Sequence, residues 1–180
     1  GAWLAVSDES RSSDGWDELG TLKIVSGSEE NRPPVNMSLI PNGGMFPCER
    51  WLTLIGKYSD PNGVDSIEYC KLLINTRESE YGGVVLRYDA REDKLYVLNN
   101  SGNAWAGGCA PGTDAVVENL WVKLDAAETT VTRTETELTV AWRVKLRRVM
   151  SGSICGAWLL VRDDAGAYDG WDRFGTVVVR

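Results

Sequence analysis

The two ends of this chain carry the same sequence. Residues 1–25, GAWLAVSDESRSSDGWDELGTLKIV, and residues 156–180, GAWLLVRDDAGAYDGWDRFGTVVVR, align without a gap and share Gly-Ala-Trp-Leu, Val, Asp, Asp-Gly-Trp-Asp and Gly-Thr. An internal repeat constrains a fold strongly, because each copy has to form the same supersecondary unit. The chain thus reads as the tail of one repeat over 1–25, a polar linker over 26–34 ending in Pro33-Pro34, and a complete repeat over 35–180. A tandem array is implied, of which this chain is a segment or a processed form.

Each copy has the pattern strand, polar loop, strand: in the second, residues 158–161, then 163–170, then 174–179, a β-hairpin with a long loop. In the first copy the apolar positions Trp3, Leu4, Val6, Trp16, Leu19, Leu22 and Ile24 are the hairpin residues expected to carry assembly. Upstream of the second copy, Leu138, Val140, Trp142, Val144 and Leu146 alternate with polar residues, the signature of a half-buried antiparallel strand over 137–146. Further strands are predicted over 35–40, 51–58, 67–75, 84–88, 94–98, 119–124 and 129–133, separated by turn sequences such as Asp60-Pro61-Asn62-Gly63 and Pro111-Gly112-Thr113-Asp114. Many short strands with turns between them predict an all-β antiparallel sandwich preceded by a hairpin half-repeat.

A formal net charge of −7 argues against nucleic acid or an anionic membrane as a partner, since both call for clustered positive charge. No apolar run reaches the length needed to insert in a bilayer. The four cysteines, Cys48, Cys70, Cys109 and Cys155, lack the close pair spacing of zinc sites and there is no His, so disulfides in an oxidising compartment are expected. Three connectivities are open; the apolar runs after Cys48 and Cys155 favour Cys48–Cys155 together with Cys70–Cys109. The sequons at Asn36 and Asn99 are candidate glycosylation sites.

General acid–base and nucleophilic catalysis usually lean on His, and no pair of carboxylates is marked as facing one cleft, so the chain is expected to be non-enzymatic. No cofactor is expected, with calcium as a weak candidate at Asp60, Asn62 and Asp65, and in the loop carrying Asp163, Asp164, Asp169 and Asp172. Neither loop has EF-hand spacing, and Asp and Asn set turn geometry in any case. Among the eight tryptophans, Trp3, Trp142 and Trp158 lie in apolar strands and are expected in the core, whereas Trp16 and Trp171 anchor the returning strand. Trp105, flanked by Asn103 and Gly107-Gly108, is the exposed ring on which a glycan could stack.

Tyr58-Ser59-Asp60-Pro61-Asn62-Gly63, Lys94-Leu95-Tyr96-Val97-Leu98-Asn99-Asn100 with Trp105, and Asp169-Gly170-Trp171 with Gly175-Thr176 resemble a repeat of large secreted bacterial surface proteins. The resemblance covers about residues 35–180. It implies an immunoglobulin-like extracellular fold strung in arrays at a cell surface, with neither an enzymatic activity nor an established ligand; the cysteines stand outside it. The expected partners are copies of the chain itself or adjacent repeats. An isolated two-stranded hairpin is marginal in water and its open edges invite association. The first copy is therefore either a remnant of the preceding repeat or a device that completes a neighbouring subunit, head to tail.

Overall fold

The computed structural model describes residues 2–20 and 30–180. The chain divides into two compact units, Gly1–Glu30 and Asn31–Arg180.

The first unit is a hairpin of β1 (Ala2–Ser7) and β2 (Ser13–Gly20). Between them the Asp8 carboxylate accepts the Ser10 and Ser12 N–H groups at 2.9 and 3.0 Å, which closes the turn without help from a longer loop. Leu22 and Ile24 lie outside the described residues, as does the first part of the predicted linker.

The second unit is an all-β sandwich. Its strands are β3 (Val35–Ile40), β4 (Gly44–Phe46), β5 (Trp51–Ser59), β6 (Ile67–Asn75), β7 (Val84–Asp89), β8 (Lys94–Leu98), β9 (Trp105–Cys109), β10 (Val116–Glu118), β11 (Val122–Asp125), β12 (Thr130–Arg133), β13 (Glu137–Leu146), β14 (Ile154–Asp163) and β15 (Tyr168–Val179). One sheet runs β10-β11-β13-β5-β3, with β12 also on β13. The other runs β4-β15-β14-β6-β7-β8-β9. All pairings are antiparallel except that of β15 with β4. Among the described residues no helix is long and apolar enough to cross a membrane.

The alternation in β13 sets the core. Leu138, Val140, Trp142, Val144 and Leu146 are fully buried and pack with Leu54 and Tyr58 of β5, Leu72 and Ile74 of β6, and Leu159 and Val161 of β14. β6 is buried on both faces over Leu72–Ile74, because the outer face of its sheet carries a second cluster of Leu73, Val85, Leu98 and Trp158, flanked by Trp105 and Trp171. Trp158 is therefore buried as expected, but on the far side of the sheet from Trp142.

The predicted linker ends early. Asn31 Nδ2 donates to Asp163 at 2.7 Å, the Arg32 N–H donates to Asn62 at 2.7 Å, and Pro34 is buried, so residues 31–34 belong to the sandwich. The chain enters at the pole formed by the Ser59 end of β5 and the Glu137 end of β13. It leaves at the other: the Arg180 N–H donates to Phe46, and the Sγ of Cys48, just past Phe46, lies 3.6 Å from the Arg147 carbonyl. The ten residues of β13 separate the two poles by about 30 Å.

Candidate functional site

The β14–β15 hairpin closes the sandwich, and three elements hold it. β14 pairs along its length with β6, from Gly156↔Asn75 to Asp163↔Ile67. The end of β15 pairs with β4, from Val177↔Gly44 to Val179↔Phe46. The loop before β4 presses on β15 so tightly that a Cβ on Gly175 would overlap the Asn42 carbonyl, and one on Gly43 would stand 2.7 Å from the Thr176 oxygen. At the turn end, Asn36 of β3 is clamped: its N–H donates to Asp169 at 2.8 Å, and its Nδ2 donates to the Gly170 carbonyl at 2.9 Å and to Asp172 at 3.0 Å. The buried Asp163 carboxylate accepts the Ala167 N–H through Oδ1 and Asn31 through Oδ2.

The β1–β2 hairpin repeats this geometry strand for strand. Trp3↔Glu18, Leu4↔Asp17 and Ser7↔Ser13 reproduce Trp158↔Arg173, Leu159↔Asp172 and Arg162↔Tyr168. Both hairpins carry the same bulge, between Ala2 and Trp3 and between Ala157 and Trp158. Both turns close alike, Asp8 on Ser12 and Asp163 on Ala167, with a positive φ at Arg11 and at Gly166. The difference lies in what covers them. Trp158 is 6% exposed and Leu159 and Val161 are fully buried, while Trp3, Leu4 and Val6 are 54, 55 and 63% exposed. The expectation that Trp3 is a core residue is thereby corrected, and Trp16, expected to anchor the returning strand, is 72% exposed. A strand pattern fixes which face is apolar, and only a second layer can bury it.

The expected disulfides are absent: all four cysteines are free thiols. The topology separates each proposed pair. Cys70 on β6 and Cys109 on β9 have two strands between them, about 14 Å in all, where a disulfide requires a Cα separation below about 7 Å. Cys155 is level with Val177 and, through it, with Gly44, which leaves Cys48 two strands away and four residues further along. Cys70 and Cys155 are buried, and burial pushes both thiol pKa values up.

Both sequons have structural work. The clamp on Asn36 leaves its buried amide no room for a glycan, which corrects that expectation. Asn99 caps the turn before β9, its Oδ1 accepting the Asn103 N–H at 3.1 Å.

The three residues named for calcium do not converge. Asp60 is fully buried with Oδ1 on the Asn62 N–H, whereas the Asp65 side chain is 95% exposed and faces Arg133 at 3.5 Å. Among the described residues no group of three or more carboxylates or thiols is placed to hold a metal ion. Asp169 and Asp172, also considered as ligands, hold Asn36 instead. Burial raises the Asp60 pKa against the lowering effect of the Asn62 bond, and Asp163 and Asp164 raise it further.

Trp105 is not the isolated loop ring expected from its neighbours. It opens β9, half-buried against the outer cluster, with Lys71 Nζ at 5.3 Å and Arg87 Cζ at 5.8 Å from its ring. With Arg87, Asp89, Glu92 and Tyr96 it lines an open cleft of about 260 Å³. Arg87 is stacked 4.3 Å from the Tyr69 ring and paired with Asp89 at 2.7 Å. Period-2 spacing puts Tyr69, Lys71, Arg87 and Asp89 on the outward face of their strands, but which strands lie side by side is not written in local sequence. The Asn31–Asp163 and Asn36–Asp169 contacts were missed for the same reason. The repeat held a signal for them, since Asp8 and Asp14 match Asp163 and Asp169.

The fold defines an all-β, two-sheet sandwich with a separate hairpin. No family model matches the chain, and no curated protein matches it either.

Proposed function

We propose that this chain is a non-enzymatic structural module of an extracellular tandem-repeat surface protein or fibre, joined head to tail to its neighbours by hairpin complementation. The observation that carries the reading is the β1–β2 hairpin, which has the register and bulge of β14–β15 and exposes the side chains that β14–β15 buries. A sandwich whose chain enters at one pole and leaves at the other acts as a spacer, each repeat adding about 30 Å of strand length. The proposed setting is a cell exterior, where such arrays extend or display other parts.

Size-exclusion chromatography with light scattering on the full chain and on one lacking residues 1–25 tests this. The full chain self-associates as its concentration rises, through the open edges and exposed Trp3 of the hairpin. The shortened chain is a monomer that unfolds at the same temperature. Loss of the sandwich on removal of residues 1–25, or association that does not depend on them, contradicts the reading.

A second reading, a carbohydrate-binding or adhesin module, is favoured by the Trp105 cleft, which sets an aromatic wall beside the guanidinium of Arg87 and the carboxylates of Asp89 and Glu92. Such a mixture suits a sugar's apolar ring face and its hydroxyl groups. Titration with soluble oligosaccharides, followed by tryptophan emission, decides it: saturable quenching abolished in Trp105→Ala supports the reading, and an unchanged spectrum removes it.

A further inference from the structure

The two hairpins keep apolar character at the positions that the second one buries. Several identical positions are ones that β14–β15 uses to meet the rest of its sandwich: Trp158, Leu159 and Val161 match Trp3, Leu4 and Val6, and the Gly175 against Asn42 matches Gly20. Gly156, where a Cβ would overlap the Trp158 indole, matches Gly1. The carboxylates that hold Asn31 and Asn36, Asp163, Asp169 and Asp172, match Asp8, Asp14 and Asp17. Polar differences fall where the second hairpin faces outward: Arg162, Tyr168 and Arg173 are exposed, and Ser7, Ser13 and Glu18 take their places, whereas the buried Val177 and Val179 and the partly buried Leu160 and Phe174 are matched by the apolar Leu22, Ile24, Ala5 and Leu19. A hairpin that worked free of any sandwich would have no use for a glycine fitted to a neighbouring carbonyl.

We propose that β1–β2 is the closing hairpin of a second copy of residues 31–153, and binds in a seat built like the one β14–β15 fills here, against β3-, β4- and β6-like strands. This rests on the tandem-repeat reading and adds the identity of the partner to it. The seat in this chain is already full, since β14 is paired on both edges. The acceptor is accordingly a neighbouring copy in which β1–β2 takes the place of that copy's own β14–β15, or a copy that lacks it.

The test is a graft in the full chain, with residues 156–175 replaced by the sequence of residues 1–20. The graft unfolds cooperatively, with a midpoint within about 10 °C of the parent, because the Trp, Leu, Val, Asp and Gly at positions 158, 159, 161, 163 and 175 are kept, while Leu160 and Phe174 change only to smaller apolar residues. The same graft carrying Asp in place of the transplanted Leu4, which takes the buried position of Leu159, does not fold. A graft that fails to fold overturns the partner assignment, as does one indifferent to that Asp. Failure of the graft while the chain lacking residues 1–25 remains a stable monomer leaves the spacer reading standing; loss of the sandwich in that shortened chain is what contradicts the spacer itself.

Discussion

Gly175 lies so close to the main chain at Asn42 that a methyl group at position 175 would overlap the Asn42 carbonyl oxygen. Backbone meets backbone there, so no side-chain rotation can relieve the clash. Gly175→Ala is expected to destabilise the sandwich by about 3 kcal/mol, read from the urea midpoint. Gly20→Ala, at the matching position of the separate hairpin, leaves that midpoint unchanged.

Trp158 and Trp3 form a second matched pair. Trp158 is buried with Leu73, Val85 and Leu98, so Trp158→Ala removes a large ring from a closed cluster and costs about 3–5 kcal/mol. Trp3→Ala changes the stability of the isolated chain by less than about 0.5 kcal/mol. Equal losses in urea unfolding contradict the assignment of Trp3 to an uncovered face.

The buried Asp60 carboxyl gives the sandwich a pH dependence. Its Oδ2 has no hydrogen-bond partner, and its pKa is raised by burial and by the charges of Asp163 and Asp164. A carboxyl whose folded pKa lies above the unfolded one favours the protonated native state. Its ionisation therefore costs stability in full above the folded pKa, and that cost disappears as the pH falls through this value towards the ordinary aspartate value of 3.8. Asp60→Asn keeps the acceptor for the Asn62 N–H and removes the charge. It is expected to stabilise the protein at pH 7, with the gain shrinking as the pH falls towards 4, by urea titration at both values.

Asn36 ties the start of the repeat to its last hairpin. Asn36→Ala removes two donors and leaves the Gly170 carbonyl and Asp172 without them, at a cost of about 1–3 kcal/mol. The same urea titration reads the loss, and a variant as stable as the parent would falsify the clamp.

All four thiols are free and differ in access. Maleimide added without reductant modifies Cys48 and Cys109 in the folded protein, and reaches Cys70 and Cys155 only in denaturant. An intact mass lower by two hydrogens per pair, or labelling of fewer than four cysteines in denaturant, contradicts the separation of β6 from β9 and of β4 from β14.

Several strands were legible residue for residue. The alternation over 137–146 coincides with β13, and the predictions for β3, β6 and β8 carry the same bounds. β4, β9 and β10 were missed: Gly-Met-Phe, Trp-Ala-Gly-Gly-Cys and Val-Val-Glu are too short or too glycine-rich to show a period, and their neighbours hold them extended. Asp169-Gly170-Trp171 was predicted as loop from its polarity. It lies inside β15, because the Asp163 turn closes the hairpin within four residues and hydrogen bonding to β14 carries the strand onward.

By itself the sequence determined the hairpin unit, its repetition, and the apolar face of each main strand, because these follow from period-two spacing and from turn residues that act on their own backbone. Tertiary structure alone decided which copy of the hairpin is covered, that Cys70 and Cys109 stand two strands apart, that Asn36 is clamped and that Trp105 borders a cleft. Each of those depends on which strands lie side by side, and residues distant along the chain become neighbours only when the sheets assemble.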